Sequence, residues 1–395
     1  MITVSVRNDR FVNTTPGIDI ETSSRTEKPL WSQYQQIQSF VQTSHFIPFK
    51  IPINENQTRQ LTSETGSYPS ATIHSTTPAQ PATPIETDPL MATPPQDPLY
   101  AAESFINTHA RPLEQARFNC AFKQGQTAEV LEALATFQNP DGGFSHGLEP
   151  DLRTPESSAL CTSIAFQIFR EIKAPADHHM IIRGIDYLLQ TFDHQQCTWR
   201  IIPPAAENSP RAPWWYQSGQ EERLATFSLN PTAEILGYLF ASHSSVPTEI
   251  TTQIWNQVYI ALQSTSSLEM HDLLCCLRLS QTPALPTEKR HQLIEQLKRL
   301  TKDTISCDPA SWTGYCLRPL QVIDHPDSPF MPGFEEAVAA NLDYELSTQN
   351  PDGSWTPTWS WDATYPEDWK IAQKEWSGVL TIEKLLTLKK FKKLH

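Results

Sequence analysis

Apolar residues recur at helical spacing from Tyr100 to the end of the chain, and almost nowhere before it. Read at intervals of three and four, the pattern predicts helices at about 99–108, 111–121, 126–137, 157–173, 179–192, 231–243, 249–263, 268–281, 288–304, 334–347 and 366–391, with a twelfth near 309–320. Strand-like alternation is nearly absent, so this stretch is expected to be all-α. Eleven or twelve helices suit six helical hairpins closed in a ring. They suit an open solenoid of paired helices equally.

Residues 1–98 are a different kind of chain. They are rich in Ser, Thr, Gln and Pro, and hold no Cys and only Trp31 of the eleven tryptophans. Such a segment buries too little apolar surface to offset the entropy of ordering it. The spaced apolar residues between Trp31 and Phe49 offer one short amphipathic helix, at about 31–44, which either docks or frays. Pro78, Pro81, Pro84, Pro89, Pro94, Pro95 and Pro98 then interrupt any helix. The expected organisation is a mostly disordered tail and linker over 1–98 and one helical domain over 99–395.

An internal repeat decides between ring and solenoid. Phe137–Phe144 reads FQNPDGGF after one expected helix, and Thr348–Trp355 reads TQNPDGSW after another, 211 residues on. In each copy a helix ends at Gln, Asn-Pro blocks its continuation, and Asp-Gly supplies a turn where positive φ costs little. An aromatic residue then closes the loop. Gln349, Gly353 and Trp355 match the Gln-x-x-x-Gly-x-Trp repeat of the squalene cyclases, which protein prenyltransferase β subunits carry in looser form. Gln138 and Gly142 match it too, with Phe144 in place of Trp. The runs QNPDGGFSHGLEPDLRTPESS (138–158), LNPTAEILGYL (229–239) and EWSGVLTIEKLLTL (375–388) are similar to a group of bacterial proteins described as prenyltransferase-like. The resemblance covers about residues 100–395. It implies a single (α/α)6 toroid, and it implies much less about activity, because one fold hosts many functions.

Chemistry concentrates in His146-Gly147-Leu148-Glu149-Pro150-Asp151-Leu152-Arg153. Pro150 disfavours helical entry, so an extended backbone is expected to point Glu149 and Asp151 to one side. Two adjacent carboxylates raise one pKa and leave a neutral acid able to protonate an alkene or epoxide. The resemblance assigns that role to Glu149 or Asp151, with His146 orienting it, although the DxDD signature of the class II cyclases is absent. A structural alternative is an Arg153 bridge to Asp151 or Glu149 that pins the loop.

The second candidate set is aromatic. Trp214, Trp215 and Tyr216 in a Pro-rich loop, with Trp359, Trp361 and Trp376, would line a cavity that stabilises cations or binds substrate; core packing is the alternative. Asn230 is expected to cap a helix that places Glu234 in its first turn, either as a third pocket carboxylate or as a partner of the macrodipole. His271 and Cys275, one helical turn apart, are a weak ligand pair, and the Asp-x-Cys zinc element of the prenyltransferases does not occur. No metal and no cofactor is therefore expected.

A net charge of −14 argues against a nucleic-acid partner. Seven scattered cysteines without a CxxC pair read as reduced core thiols. With no apolar leader and no run approaching roughly 18 apolar residues, the chain reads as soluble and cytoplasmic. Lys389, Lys390, Lys392 and Lys393 around Phe391 either complement a helix C-terminus or make weak contact with a membrane surface. Nothing in the pattern sets an oligomeric state. Three functions remain open: an isoprenoid-handling cyclase or isomerase with a hydrophobic substrate, a carbohydrate-active toroid enzyme, and a non-catalytic scaffold whose carboxylates are locked by Arg153. An apolar closed cavity points to the first, a polar recess with aromatic platforms to the second.

Overall fold

The computed structural model of the protein describes residues 97–242 and 246–394. The tail, its expected helix at 31–44 and the linker before residue 97 lie outside them. Among the described residues are twelve α-helices and no strand: α1 Pro98–His109, α2 Pro112–Phe122, α3 Thr127–Ala135, α4 Ala159–Glu171, α5 His179–Gln190, α6 Leu229–Ala241, α7 Thr248–Ser264, α8 Met270–Ser280, α9 Thr287–Thr301, α10 Pro319–Val322, α11 Glu335–Ser347 and α12 Pro366–Lys390. All eleven expected helices are present, with ends within three residues of the periodicity. The region near 309–320 holds a 3-10 turn at Pro309–Ser311 and the single-turn α10.

Local chemistry sets the helix ends. Asp97 caps α1 by accepting from the Leu99 N–H, with Pro98 in the first turn. Ser158 caps α4 through the Cys161 N–H, and Glu269 caps α8 through the N–H groups of His271 and Asp272. Asn230 does not cap α6 as expected. Its backbone is extended (φ −94°, ψ 117°), its N–H donates to Asp272 Oδ1 at 2.9 Å, and its side-chain oxygen faces the Cys275 thiol at 3.6 Å. The residue is used to join α6 to α8.

Packing partners follow the chain in order. α4 touches α5 and α6, α6 touches α7 and α8, α8 touches α9 and α10, and α10 touches α11. The last helix, α12, packs against the first two, α1 and α2. An ion pair from the buried Arg117 to both oxygens of Glu171 (2.9 and 2.7 Å) ties α2 to α4. Cys161, Cys197, Cys275 and Cys276 are buried thiols, whereas Cys120 and Cys316 are half-buried and Cys307 is exposed. The expectation of core thiols therefore holds for only part of the set.

The two repeat loops have the same bonding. Gln138 Nε2 donates to the carbonyls of Gly142 (2.9 Å) and Met180 (3.0 Å); Gln349 Nε2 donates to those of Gly353 (2.9 Å) and Pro98 (2.9 Å). Asp141 and Asp352 each accept from the N–H two residues on, at 3.0 Å. The N–H groups of Phe144 and Trp355 reach Thr162 and Thr381 on the following helix, both at 3.1 Å. The first loop thus docks on the carbonyl of Met180 in α5, the next helix but one. The second, which precedes α12, the last helix among the described residues, docks on Pro98 at the start of α1.

Both glycines are required twice over. Gly142 and Gly353 have φ of +95° and +90°, where a side chain is strained. A Cβ would also lie 2.3 Å from the Arg183 carbonyl oxygen at Gly142, and 2.0 Å from that of Ala101 at Gly353. Gly333 has the same φ of +90° with nothing within 4 Å, so it isolates the conformational cost. Gly333→Ala is expected to cost about 1 kcal/mol and Gly353→Ala about 3 kcal/mol or more, as read from urea unfolding of the two variants. Equal losses would mean that the docking of the second loop on α1 adds nothing.

Candidate active site

The segment His146–Arg153 forms two successive turns rather than the expected extended run. Leu148 N–H bonds the Ser145 carbonyl at 3.2 Å, and Leu152 N–H bonds that of Glu149 at 3.1 Å. Gly147 at φ +73° opens the first turn. The backbone then pairs with residues 210–212, through Arg153 N–H to Pro210 O (3.1 Å) and Ala212 N–H to Asp151 O (2.9 Å). These bonds turn both carboxyl groups inward, Glu149 to 7% exposure and Asp151 to 2%.

Asp151 accepts from three indoles. Trp361 Nε1 and Trp376 Nε1 donate to Oδ1 at 2.6 and 2.8 Å, and Trp359 Nε1 donates to Oδ2 at 3.1 Å. Two of the donor rings, Trp359 and Trp376, cross edge to face at 81°, and the third, Trp361, packs at 60° against Trp369, which does not bond Asp151. Burial raises the Asp151 pKa, while the three indole bonds and the Arg153 charge oppose that rise.

Glu149 is the counterpart. Its Oε2 is buried without a hydrogen-bond partner, and so is Trp215 Nε1 beside it. That indole favours the charged carboxylate by its nearness, but the two atoms do not meet hydrogen-bond geometry. Burial first, and then the Asp151 charge, push the Glu149 pKa well above the ordinary carboxylate value. The pair is therefore asymmetric: burial raises both pKa values, but Asp151 has three indole donors that favour its anion, whereas Glu149 has an orphaned oxygen and is pushed well above the ordinary value.

The neighbouring charges are not the expected ones. Arg153 bridges neither carboxylate but pairs with Glu375. Arg111 is held in a fork by Glu114 at 2.7 and 2.8 Å and donates to the Gly147 carbonyl at 2.7 Å. The guanidinium groups thus act on the carboxyl pair by field. His146 does not orient the acid: it is exposed, and its Nε2 bonds Asn139 Oδ1 of the first repeat loop at 2.8 Å.

Of the remaining candidates, Trp359, Trp361, Trp376 and Trp215 gather at the carboxyl pair. Trp361 is too buried to line a cavity. Trp214 is exposed, and Tyr216 stacks under Arg211 at 4.7 Å, away from the pair in bonding terms. Glu234 belongs to a separate buried knot, bonded to Gln167 (2.7 Å), Tyr238 (2.5 Å) and Arg278 (2.9 Å). Lys389 and Lys390 have partners within the fold, the Ala121 carbonyl and Asp324. Among the described residues no three His, Cys, Asp or Glu side chains form a metal site, and no helix is long and apolar enough to cross a membrane.

Two residues that periodicity did not single out, Glu269 and Tyr315, join His271 next to the pair. His271 Nδ1 meets Glu269 Oε1 at 2.8 Å and His271 Nε2 meets the Tyr315 hydroxyl at 2.9 Å. The Tyr315 ring stands edge-on to Trp359 at 5.5 Å. Tyr315 is 52% exposed and Glu383 is also exposed, yet burial raises the pKa of both. Both side chains are polar, touched by water on one side and by protein on the other. Two surface recesses lie over the repeat loops, one lined by Asn139–Asp141 and Pro155–Ser157 and one by α1 with Pro351 and Asp352; neither includes Glu149, Asp151, His271 or Tyr315.

No protein-family model matches the chain, and no curated protein matches it significantly.

The asymmetry predicts opposite mutational effects. The folded state holds the Glu149 proton above the pH at which the unfolded chain releases it, so this group's contribution to stability falls as pH rises through its folded pKa. Glu149→Gln is expected to match wild type near about pH 4 and to gain stability over it as pH rises to about 8, followed by urea unfolding across that range. Asp151→Asn turns an amide N–H toward at least one indole N–H, and is expected to cost about 3 kcal/mol. A destabilised Glu149→Gln at about pH 8 would contradict the neutral-acid assignment.

Proposed function

We propose that this chain is an acid–base enzyme built on a closed α/α toroid, with Glu149 as its proton donor, acting on a hydroxyl-rich, carbohydrate-like substrate. The closed ring is supported by the second repeat loop, which treats α1 as the helix following α12, and by the packing of α12 on α1 and α2. The observation that carries the chemistry is the unequal carboxyl pair: Asp151 fixed by three indole N–H groups, Glu149 buried with an orphaned oxygen. Asp151 is a positioning residue whose negative charge keeps the Glu149 proton in place. Glu149 gives that proton to a departing oxygen.

The side chains near the pair favour a polar substrate. Tyr315 and His271 put a hydroxyl and an imidazole beside Trp359, where an isoprenoid cavity would need hydrocarbon. A sugar offers partners to both of them, and the rings of Trp359, Trp376 and Tyr315 suit its apolar faces. The isoprenoid reading retains one argument, that the same rings could stabilise a carbocation.

Purified protein is to be incubated with aryl glycosides, oligosaccharides and their uronates, and in parallel with squalene, oxidosqualene and linear prenyl diphosphates, with products read by mass spectrometry. Turnover of a sugar that Glu149→Gln reduces on the order of 100-fold or more supports the proposal. Turnover of a prenyl compound alone replaces it with the isoprenoid reading, and turnover unaffected by Glu149→Gln removes Glu149 as the acid.

A further inference from the structure

An acid alone completes half of a hydrolysis or epimerisation; a group that takes a proton is also needed, and we infer that the Glu269–His271–Tyr315 chain is that base, with the Tyr315 hydroxyl as the group that meets the substrate. The inference rests on the acid–base reading of the Glu149 site and supplies the residue that reading leaves unnamed.

With Glu269 ionised and the His271 ring neutral, the hydrogen-bond directions follow. Glu269 is an acceptor only: one oxygen takes the N–H groups of His271 (2.7 Å) and Asp272 (3.4 Å) at the start of α8, and the other takes His271 Nδ1 (2.8 Å). Burial by itself would raise the Glu269 pKa, but the His271 ring and the two backbone N–H groups hold it below the ordinary value. Nδ1 therefore carries the proton, and in the neutral ring Nε2 is an acceptor. The Tyr315 hydroxyl donates to it at 2.9 Å. The lone pairs of that oxygen are left for water or a ligand, since Tyr315 is 52% exposed. The loop carrying Tyr315 is anchored behind it by Trp312, which is fully buried, donates from Nε1 to the Ser306 carbonyl (2.8 Å) and has its own carbonyl held by Tyr344 (3.0 Å).

Burial and the carboxylates of Glu269, Asp151 and Glu149 raise the Tyr315 pKa. The phenol is thus ill suited to wait as a tyrosinate, and in a relay it does not have to. A substrate or water O–H gives its proton to the Tyr315 oxygen as the Tyr315 proton passes to His271 Nε2. The substrate oxygen is left with the electron pair, Tyr315 stays neutral, and the imidazole becomes an imidazolium facing Glu269. Burial lowers the His271 pKa, but Glu269 and Asp272 outweigh burial and the Arg278 charge, so the ring is a stronger base than a free imidazole. Glu149, near enough for its charge to act on Tyr315, supplies the proton for the departing group. The net reaction moves one proton from Glu149 to His271 through the substrate.

The test begins on ligand-free full-length protein labelled with 15N-histidine, with His271→Gln identifying the signals. We expect an Nδ1–H tautomer in the neutral ring and a pKa above that of free imidazole. Glu269→Gln should lower that pKa, and Tyr315→Phe should shift the Nε2 resonance without moving the Nδ1 proton. Asp272 must be controlled with Asp272→Asn, because its own pKa is pushed up to about 7 by burial and by Glu269. An Nε2–H tautomer, or an Nε2 resonance unmoved by Tyr315→Phe, overturns the inference whether or not any sugar is turned over.

With a substrate from the glycoside panel, Tyr315→Phe should lower kcat about 100-fold with KM within about threefold, and remove the rise of kcat with pH set by His271. An unchanged kcat in Tyr315→Phe also overturns it. If no sugar reacts at all but the tautomer and shifts are as expected, the substrate class falls and the relay stands.

Discussion

One carboxylate organises the centre of this protein. Asp151 lies in the loop that follows the first repeat, and its three indole partners lie in the loop and helix that follow the second. Burying a charged carboxylate without partners would cost several kcal/mol, so the fold of residues 355–376 is tied to the place where Asp151 stands. Each indole N–H also needs an acceptor once buried. The anion and the tryptophans therefore satisfy one another, and neither half of the domain can complete its interior alone.

The anchored anion has a second effect, on its neighbour. Glu149 is two residues away, desolvated, and exposed to the field of a fixed negative charge. Its proton is held by the arrangement that keeps Asp151 charged. A stable fold would be better served by an apolar residue at 149; the orphaned Oε2 and the unmatched Trp215 N–H mark a place where packing has been left incomplete. Incomplete satisfaction beside a fully satisfied carboxylate is how an environment divides two similar groups into acid and anion.

Polarity around His271 follows from the helix that supplies it. α8 begins with Glu269 as a cap, and the same carboxylate orients His271. α6 and α8 share the Glu234–Arg278 pair, and α2 and α4 share Arg117–Glu171. Charged residues on inward-facing positions usually destabilise a helical domain unless each is paired. Here the pairs bridge neighbouring helices, while Glu383 and Tyr315 keep contact with water.

Helix positions, the repeat loops and their glycines were all readable in the chain. Each depends on interactions spanning a few residues: periodic apolar positions, a cap, a proline, a turn needing positive φ. The Glu149–Asp151 pair was visible for the same reason, though not its turn geometry or the freedom of both groups from Arg153. What the tertiary structure alone decided is which distant residues meet. Trp359, Trp361 and Trp376 are 208, 210 and 225 positions from Asp151, and Tyr315 is 44 from His271. No local rule links such positions. A tryptophan that packs and a tryptophan that donates to a buried carboxylate have the same periodicity, and only the convergence of loops from both halves distinguishes them.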